Sequence, residues 1–172
     1  MPDAPLIAPA PSRDSTVTPA ASSPGRSRNM RAIKRTGTKP EILVRSRLHS
    51  HGHRFRKDYP IRLDSVRVRP DIVFTRKRVA IFVDGCFWHC CPAHGHQPQT
   101  NDWYWAPKLQ RNRERDELVS RSLVDQGWTV IRVWEHTPAA IAVAEIEHVF
   151  DSIREGLGPS TLDHINVVLA HS

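Results

Sequence analysis

Two aspartates beside short β-rich segments are the first residues whose spacing suggests chemistry. Asp71 stands immediately before the segment 72–74, and Asp84 stands immediately after the segment 78–83. A short turn separates the segments, so they predict a hairpin. At hairpin distance both carboxylates can bind one hard cation, and Mg²⁺ needs few protein oxygens because it keeps several waters. Such a site would activate a water and neutralise a phosphate; a turn with a solvated aspartate is the alternative interpretation.

The loop at residues 85–96 holds a second reactive group, since it contains three cysteines, three histidines and few aliphatic residues. Thiolates and imidazoles at such short spacing are typical zinc ligands, and a closed structural site needs four of them. The predicted ligands are Cys86, Cys91, His94 and, after a later strand, His136. Cys90 and His96 remain alternative loop ligands. Reduced cysteines with surface histidines are the other interpretation.

A polar stripe follows one face of a predicted long helix, over about residues 107–126. Its members recur at spacings of three and four residues, which places them on one face. They are Trp105, Lys108, Asn112, Arg115 and Asp116. A stripe with these side chains suits contact with a phosphate backbone, and a solvated helix face is the alternative.

The composition narrows the class of protein. The 172 residues carry a formal net charge of +7, which favours a nucleic-acid partner. No apolar run approaches the ~20 residues of a membrane helix, and the N-terminus lacks the compact apolar stretch of a signal peptide. Three cysteines, two of them adjacent, argue against a secreted disulfide framework.

The chain divides into one folded domain and two tails. Residues 1–28 are rich in Pro, Ala and Ser and predict a disordered tail. Residues 29–157 predict the domain, and residues 158–172 are too short for another.

The order of predicted elements within the domain indicates its fold class. The capping box Thr38-Lys39-Pro40-Glu41 begins a helix that Gly52 ends. Strands follow, then the long helix, an alternating strand at 128–134 and an amphipathic helix at 139–157. This order predicts an α/β domain with a mixed sheet flanked by helices.

Several motifs, in unbroken order over roughly residues 27–138, resemble those of the very-short-patch repair (Vsr) endonucleases. The motifs are Asn29-Met30-Arg31-Ala32-Ile33, Thr38-Lys39-Pro40-Glu41, Arg69-Pro70-Asp71, Gly85-Cys86-Phe87-Trp88-His89, the polar stripe, Gly127-Trp128 and Val133-Trp134-Glu135. The resemblance implies a restriction-endonuclease-like fold, a catalytic Mg²⁺ and a structural Zn²⁺. It also implies an enzyme that nicks the strand bearing T in a T:G mismatch left by deamination of 5-methylcytosine.

The resemblance further implies roles for individual residues. Asp71 corresponds to the family's metal-binding aspartate, and His89 corresponds to its catalytic histidine. Glu41 corresponds to an acidic residue near the site, and it also completes the capping box. The aromatic wedge that enters the base stack corresponds to Phe87 and Trp88, with Met30 from the N-terminal arm. A wedge opens and kinks DNA at the cost of unstacking; core packing is the alternative for the two aromatic residues.

The chain departs from the family pattern just before the Gly-Cys-Phe-Trp-His motif. Well-known members have Thr-His where this chain has Val83-Asp84. The threonine contributes a backbone carbonyl to the metal, which Val83 can also do. Asp84 replaces a histidine near the scissile phosphate, and we infer that it binds Mg²⁺ instead. His136 replaces a zinc-binding cysteine, and both residue types bind zinc.

These observations predict a Mg²⁺-dependent endonuclease that nicks one strand of mismatched double-stranded DNA and leaves a 5′-phosphate. We expect a cytoplasmic, nucleoid-associated monomer that does not contact membranes. One alternative is a nickase of the same fold with another target, such as a restriction-type enzyme or one acting on modified DNA. A zinc-stabilised DNA-binding module without catalysis is the alternative from a different class.

Overall fold

The structure is a computed structural model that describes residues 36–63, 67–95 and 98–156, and the backbone of residues 165–166. Its helices are α1 (Lys39–Ser50), α2 (Asp102–Asp125) and α3 (Ala139–Arg154). Its strands are β1 (Arg56–Lys57), β2 (Ile61–Arg62), β3 (Arg67–Val68), β4 (Ile72–Phe74), β5 (Val79–Asp84), β6 (Thr129–Trp134) and β7 (Ile165–Asn166). The predicted tail at 1–28, Met30, His96 and the tail at 158–172, apart from the β7 backbone, lie outside the described residues.

Five of these strands form one mixed sheet in the order β1-β4-β5-β6-β7. Strands β1, β4 and β5 pair antiparallel, whereas β5, β6 and β7 pair parallel. The hairpin predicted before and after the turn at 75–78 is therefore β4–β5. The predicted mixed α/β architecture is confirmed. Strands β2 and β3 form a separate antiparallel hairpin.

Alternate residues of the central strands pack on opposite faces of the sheet, as the period of a β-strand requires. One face packs against α1 and α3 in a cluster that includes Ile72, Ile81 and Ile131. The other face packs against α2 and the β2–β3 hairpin in a cluster that includes Ala80 and Val130. Helices thus flank both faces of the sheet.

The parallel pairing of β5 and β6 positions the reactive residues. Strands β5 and β6 are parallel and α2 is the crossover between them, so both strands end at the same edge of the sheet. Asp84 at the end of β5 is the register partner of Trp134 at the end of β6. The loop that begins at Gly85 therefore lies beside the loop that begins at Glu135.

The long helix α2 begins at Asp102 and not near Pro107 as predicted. Pro107 lies inside the helix, where it removes one backbone donor. The five earlier residues extend the helix across the aromatic residues of segment 103–105. Among the described residues, no helix is long and apolar enough to cross a membrane.

Glu147 on α3 connects this helix to the chain that follows α1. Its Oε1 lies 3.0 Å from Nδ1 of His51 and 2.8 Å from Nε2 of His53. The bond to His53 lowers the pKa of Glu147, and the bond to His51 adds to this effect. A carboxyl group with a lowered pKa stabilises the fold above its unfolded pKa and loses that contribution as pH falls.

We predict that Glu147→Gln lowers the melting temperature at pH 6–7 by a few degrees, because a partly exposed ion pair contributes about 1 kcal/mol or less. Thermal unfolding followed from pH 7 to pH 3.5 tests this, with Glu145→Gln on the same helix as the control. The difference between wild type and Glu147→Gln should shrink toward pH 3.5. A difference that is constant with pH would contradict the electrostatic explanation.

Candidate active site and metal centre

The structure brings all four predicted zinc ligands together. The ligand atoms of Cys86, Cys91, His94 and His136 all lie within 4.8 Å of one another. Nδ1 of His136 is 3.0 Å from Sγ of Cys86 and 3.8 Å from Sγ of Cys91. Both thiols are buried and both imidazoles are exposed. Cys90 is not a member of this group, and the alternative ligand His96 lies outside the described residues.

Backbone turns in the loop after β5 set the positions of the two thiols. The amide of Cys91 donates to the carbonyl of Cys86 at 2.9 Å, and the amide of Gly95 donates to the carbonyl of Cys91 at 2.6 Å. A Cβ atom on Gly95 would lie 2.5 Å from that carbonyl oxygen, so the tight turn requires glycine. From the neighbouring loop, Oε1 of Glu135 accepts from the amide of Cys86 at 2.7 Å.

The protonation of this group fits a site that gains a metal ion. Burial and the neighbouring Cys91 raise the pKa of Cys86 to about 12. Burial and the charge of His94 lower the pKa of His136. Without a cation the Cys86 thiol therefore stays protonated at neutral pH, and a bound cation would offset the cost of a buried thiolate and release protons. Two sulfur and two nitrogen donors match a four-coordinate site for a soft or borderline metal.

Asp71 lies at the start of β4, and its Oδ2 accepts from the amide of Val83 at 2.7 Å. Burial raises the pKa of Asp71 to about 7, and the charges of Glu41 and Asp84 contribute to this rise. The Val83 bond and the charge of Arg45 act in the opposite direction without cancelling it. Asp71 is thus a largely desolvated carboxyl group that a bound cation would stabilise in its charged form.

Glu41 is buried beside Asp71, but its oxygens are engaged at the start of α1. Oε2 accepts from the amide of Gly37 at 2.8 Å and from Nη2 of Arg45 at 3.1 Å, and Oε1 accepts from the hydroxyl of Thr38 at 2.9 Å. The Thr38 side chain makes no capping bond to the helix backbone. The predicted capping box, which needs a bond between the Thr38 side chain and the helix backbone, is therefore wrong. The Thr38 hydroxyl donates to Glu41 instead.

Asp84 is buried and forms an ion pair with the partly buried Arg132, a residue that the sequence motifs do not include. Oδ2 accepts from Nε of Arg132 at 2.5 Å and Oδ1 accepts from Nη2 at 2.8 Å. This bidentate geometry is the strongest form of an arginine–carboxylate contact. The expected role of Asp84 as a magnesium ligand beside Asp71 would have to be shared with this ion pair, because both of its oxygens face the guanidinium.

The same arginine also contacts the carboxylate that orients His89. Nη2 of Arg132 lies 3.1 Å from Oδ1 of Asp116, and Oδ2 of Asp116 lies 2.5 Å from Nδ1 of His89. Burial opposes the imidazolium form, but the Asp116 bond and the charge of Asp84 outweigh it and raise the pKa of His89. Burial likewise opposes ionisation of Asp116, but His89 and Arg132 together lower its pKa. Because Asp116 accepts a hydrogen bond from Nδ1–H of His89, the neutral ring has its basic nitrogen at Nε2.

The polar stripe of α2 packs largely against the loop that carries His89. The amide of Asn112 donates to the carbonyl of Trp88 at 3.2 Å. Nζ of Lys108 lies 5.6 Å from the centre of the Trp88 ring and 5.3 Å from that of Trp105. Arg115 is exposed. The stripe thus supports the loop as well as facing solvent.

Phe87 and Trp88 lie in an aromatic cluster on this surface. Their ring centroids are 5.0 Å apart, and Trp105 lies 5.4 Å from Phe87 and 5.9 Å from Trp88. Both side chains are only partly buried. They therefore pack against the helix and also present aromatic surface to solvent.

Comparison with known proteins identifies the family. The model of the DNA mismatch endonuclease Vsr family matches residues 20–96. The type II nicking enzyme V.NaeI of Lentzea aerocolonigenes is 54% identical over 146 residues, which are 84% of this chain and 88% of that enzyme. The DNA mismatch endonuclease Vsr of Escherichia coli is 38% identical over 115 residues, which are 64% of this chain and 69% of that enzyme. The chain belongs to the Vsr family. It is a DNA endonuclease, a hydrolase of phosphodiester bonds.

In this Vsr-family enzyme, Arg132 and Asp116 have partners that the sequence alone does not reveal. Each of the two residues nevertheless carries a signal in the sequence. Arg132 interrupts an otherwise apolar alternating strand, and a charged residue at such a position needs a buried partner. The spacing along α2 identifies Asp116 only as a member of the polar stripe. Its partner His89 lies 27 residues away, so the contact becomes visible only when α2 is packed against the loop.

We predict that Cys91→Ser lowers both the bound metal and the melting temperature, because loss of one ligand leaves a buried, incompletely coordinated site. A loss of ~2 kcal/mol would lower the melting temperature by about 4–8 °C. Metal analysis of the purified protein together with thermal unfolding measures both effects. Cys90→Ser is the matched control and should change neither quantity; equal behaviour of the two variants would contradict the assignment.

We predict that Asp71→Asn stabilises the fold at alkaline pH. A pKa raised from 3.8 to about 7 means that the folded state holds the proton more tightly, so stability is full below pH 4 and falls as pH rises toward 7. The shift corresponds to a cost on the order of 4 kcal/mol above pH 7. Without added magnesium, Asp71→Asn should melt above wild type at pH 8 and converge with it near pH 4. A higher melting temperature for wild type than for Asp71→Asn at pH 8 would contradict a poorly compensated charge on Asp71.

We predict strong coupling between Asp84 and Arg132 in a double-mutant cycle. Asp84→Asn or Arg132→Met alone removes one partner of this pair and should cost about 3–5 kcal/mol, whereas the double variant should recover a large part of that loss. Denaturant unfolding gives the free energies. The exposed pair Arg121–Glu117 is the control and should couple by less than about 1 kcal/mol. Additive losses at Asp84 and Arg132 would rule out a direct pair.

Proposed function

We propose that this enzyme nicks one strand of double-stranded DNA at a T:G mismatch, that it requires Mg²⁺, and that residues 29–157 form a restriction-endonuclease-like catalytic domain. The observation that carries this proposal is the composition of one loop. His89, oriented by Asp116, is directly preceded by the partly exposed rings of Phe87 and Trp88. The segment 85–89 thus offers both a general base for hydrolysis and an aromatic surface that can contact a disturbed base stack.

Asp71 is the proposed protein carboxylate for magnesium, together with the backbone carbonyl of Val83. The raised pKa of Asp71 supports this role, because a cation would relieve the repulsion from Glu41 and Asp84. Glu41 forms an ion pair with Arg45, and Asp84 forms one with Arg132. Their proposed contribution to the site is made through these two arginines. Magnesium keeps several waters, so a single carboxylate and a carbonyl suffice for binding. When bound, the ion supplies charge neutralisation at the phosphate and a more acidic water.

His89 is the proposed general base. With Nδ1 donating to Asp116, Nε2 of the neutral ring accepts a proton from water as the water oxygen forms a bond to phosphorus. The bond between phosphorus and the 3′ oxygen then breaks and the 3′ oxygen takes up a proton from solvent water, which leaves a 3′-hydroxyl and a 5′-phosphate. Arg132 holds Asp116 in place at 3.1 Å. The histidine and its two partners therefore act as one hydrogen-bonded unit.

Phe87 and Trp88 form the proposed wedge, and Arg115 contacts the phosphate backbone beside it. An aromatic wedge spends a few kcal/mol on unstacking, and a mismatched pair reduces that cost. Trp105 and Lys108 support the wedge from α2. Met30, the proposed contribution of the N-terminal arm, lies outside the described residues.

The four Cys and His ligands form a proposed structural zinc site, separate from the chemistry. Four protein ligands leave no open position for water. Cys86 belongs to this site and lies three residues before His89. Zinc therefore fixes the start of the loop that presents the wedge and the base.

A labelled duplex with a single T:G pair tests the function, with the T:A duplex as the control and each assayed with and without Mg²⁺. We expect Mg²⁺-dependent nicking of the T-bearing strand of the T:G duplex only. Asp71→Ala and His89→Ala should abolish nicking and retain a cooperative melting transition. Cleavage of both duplexes would support the alternative of a nickase with another target. Binding without cleavage under all conditions would support a non-catalytic module.

A further inference from the structure

A strongly basic surface lies on the chain before Asp71, away from the loop that carries the wedge. Six exposed Arg and Lys side chains occupy residues 54–69: Arg54, Arg56, Lys57, Arg62, Arg67 and Arg69. The described part of this segment contains one acidic residue, Asp58, which faces Arg45 at 3.7 Å. We call these six residues the basic hairpin surface.

The β2–β3 hairpin presents two of these arginines side by side. Arg62 and Arg67 are direct register partners across the antiparallel pair, so their Cβ atoms lie about 4.5–5.5 Å apart on the same face. Like charges at such positions destabilise a hairpin. The neighbouring pair, Ile61 and Val68, is buried in the core and holds the hairpin in this orientation. The arginines thus remain together on the outer face, an arrangement that an anion would stabilise.

Backbone contacts connect this surface to the proposed magnesium ligand. Nη1 of Arg69 donates to the carbonyl of Asp58 at 3.3 Å, and the amide of Asp58 donates to the carbonyl of Asp71 at 3.4 Å. Strand β1, with Arg56 and Lys57, pairs with β4 in the main sheet. The basic hairpin surface therefore adjoins the active site on the side of β1 and β4.

We propose that the basic hairpin surface binds the phosphate backbone of duplex DNA. The proposal rests on duplex DNA as the substrate of the proposed function. Much of the α2 stripe packs against the loop, since Lys108 lies over aromatic rings and Asn112 donates to Trp88. Arg115 is the exposed cation of that stripe, so further phosphate contacts call for cations outside it. Arg62 and Arg67 supply them without reading sequence, because phosphate contacts position a protein and base contacts specify the site.

Salt-dependent binding tests this surface. The variant Arg62→Gln/Arg67→Gln is compared with Arg76→Gln/Arg154→Gln, which removes the same charge from the β4–β5 turn and the end of α3. The probe is an undamaged T:A duplex, so no cleavage is needed. Each phosphate contact contributes about 0.9 to the slope of log K against log salt concentration. We expect the hairpin variant to lower that slope by about 1.8, and the control to lower it by much less.

Two further measurements separate binding from folding. Arg62→Lys/Arg67→Lys keeps the charge and should retain most of the slope. The melting temperature of Arg62→Gln/Arg67→Gln should stay equal to that of wild type or rise, because a repulsive pair is removed. Equal slopes for the hairpin variant and the control, or loss of the slope in the lysine variant, would overturn the proposal.

The outcomes also distinguish this surface from the proposed function. If the hairpin variant has a lower salt slope but the wild-type enzyme does not nick the T:G duplex, the surface is upheld and the mismatch activity is rejected. Wild-type nicking of the T:G duplex with an unchanged slope in the hairpin variant would uphold the activity and reject the surface.

Discussion

The arrangement around His89 depends on the ion pairs of the partly buried Arg132 guanidinium. The guanidinium faces two carboxylates, Asp84 at 2.5 and 2.8 Å and Asp116 at 3.1 Å, and Asp116 in turn binds His89. Desolvating any one of these charges alone would cost several kcal/mol, so each depends on the others for compensation. The register of β6 places Arg132 beside Phe82, with Asp84 two residues further along β5. Sheet pairing therefore sets the geometry of the histidine.

Charge compensation also distinguishes the three carboxylates near the proposed magnesium site, of which Glu41 and Asp84 are buried and Asp71 is partly buried. Glu41 pairs with Arg45, and Asp84 pairs with Arg132. Asp71 receives an amide bond from Val83 but is the carboxylate whose pKa burial raises to about 7. The fold thus retains one poorly compensated carboxylate between two ion pairs. A site of this kind lowers stability in the absence of a cation and favours cation binding, which is a common relation between stability and function at active sites.

The sequence predicted the local features of the fold and site because those features depend on short-range patterns. The β4–β5 hairpin follows from two β-rich segments around a turn, and three members of the Cys and His group follow from the close spacing of Cys86, Cys91 and His94. The Arg132–Asp84 pair could not be predicted in the same way, since the partners are 48 residues apart and meet only through the parallel register of β5 and β6. The early start of α2 at Asp102 was missed because Pro107 normally marks a first turn.

In the proposed mechanism, the segment 86–89 of the loop after β5 couples recognition to chemistry, because both ends of this segment are attached. Cys86 at its start belongs to the Cys and His group, and His89 at its end is bound by Asp116. Between them, the Trp88 carbonyl accepts from Asn112. The rings of Phe87 and Trp88 therefore cannot move far into a base stack without pulling on His89. A duplex that admits the rings easily, as a weak pair does, would leave the histidine in its oriented position, whereas a well-stacked duplex would resist the rings and hold the phosphate away from the base.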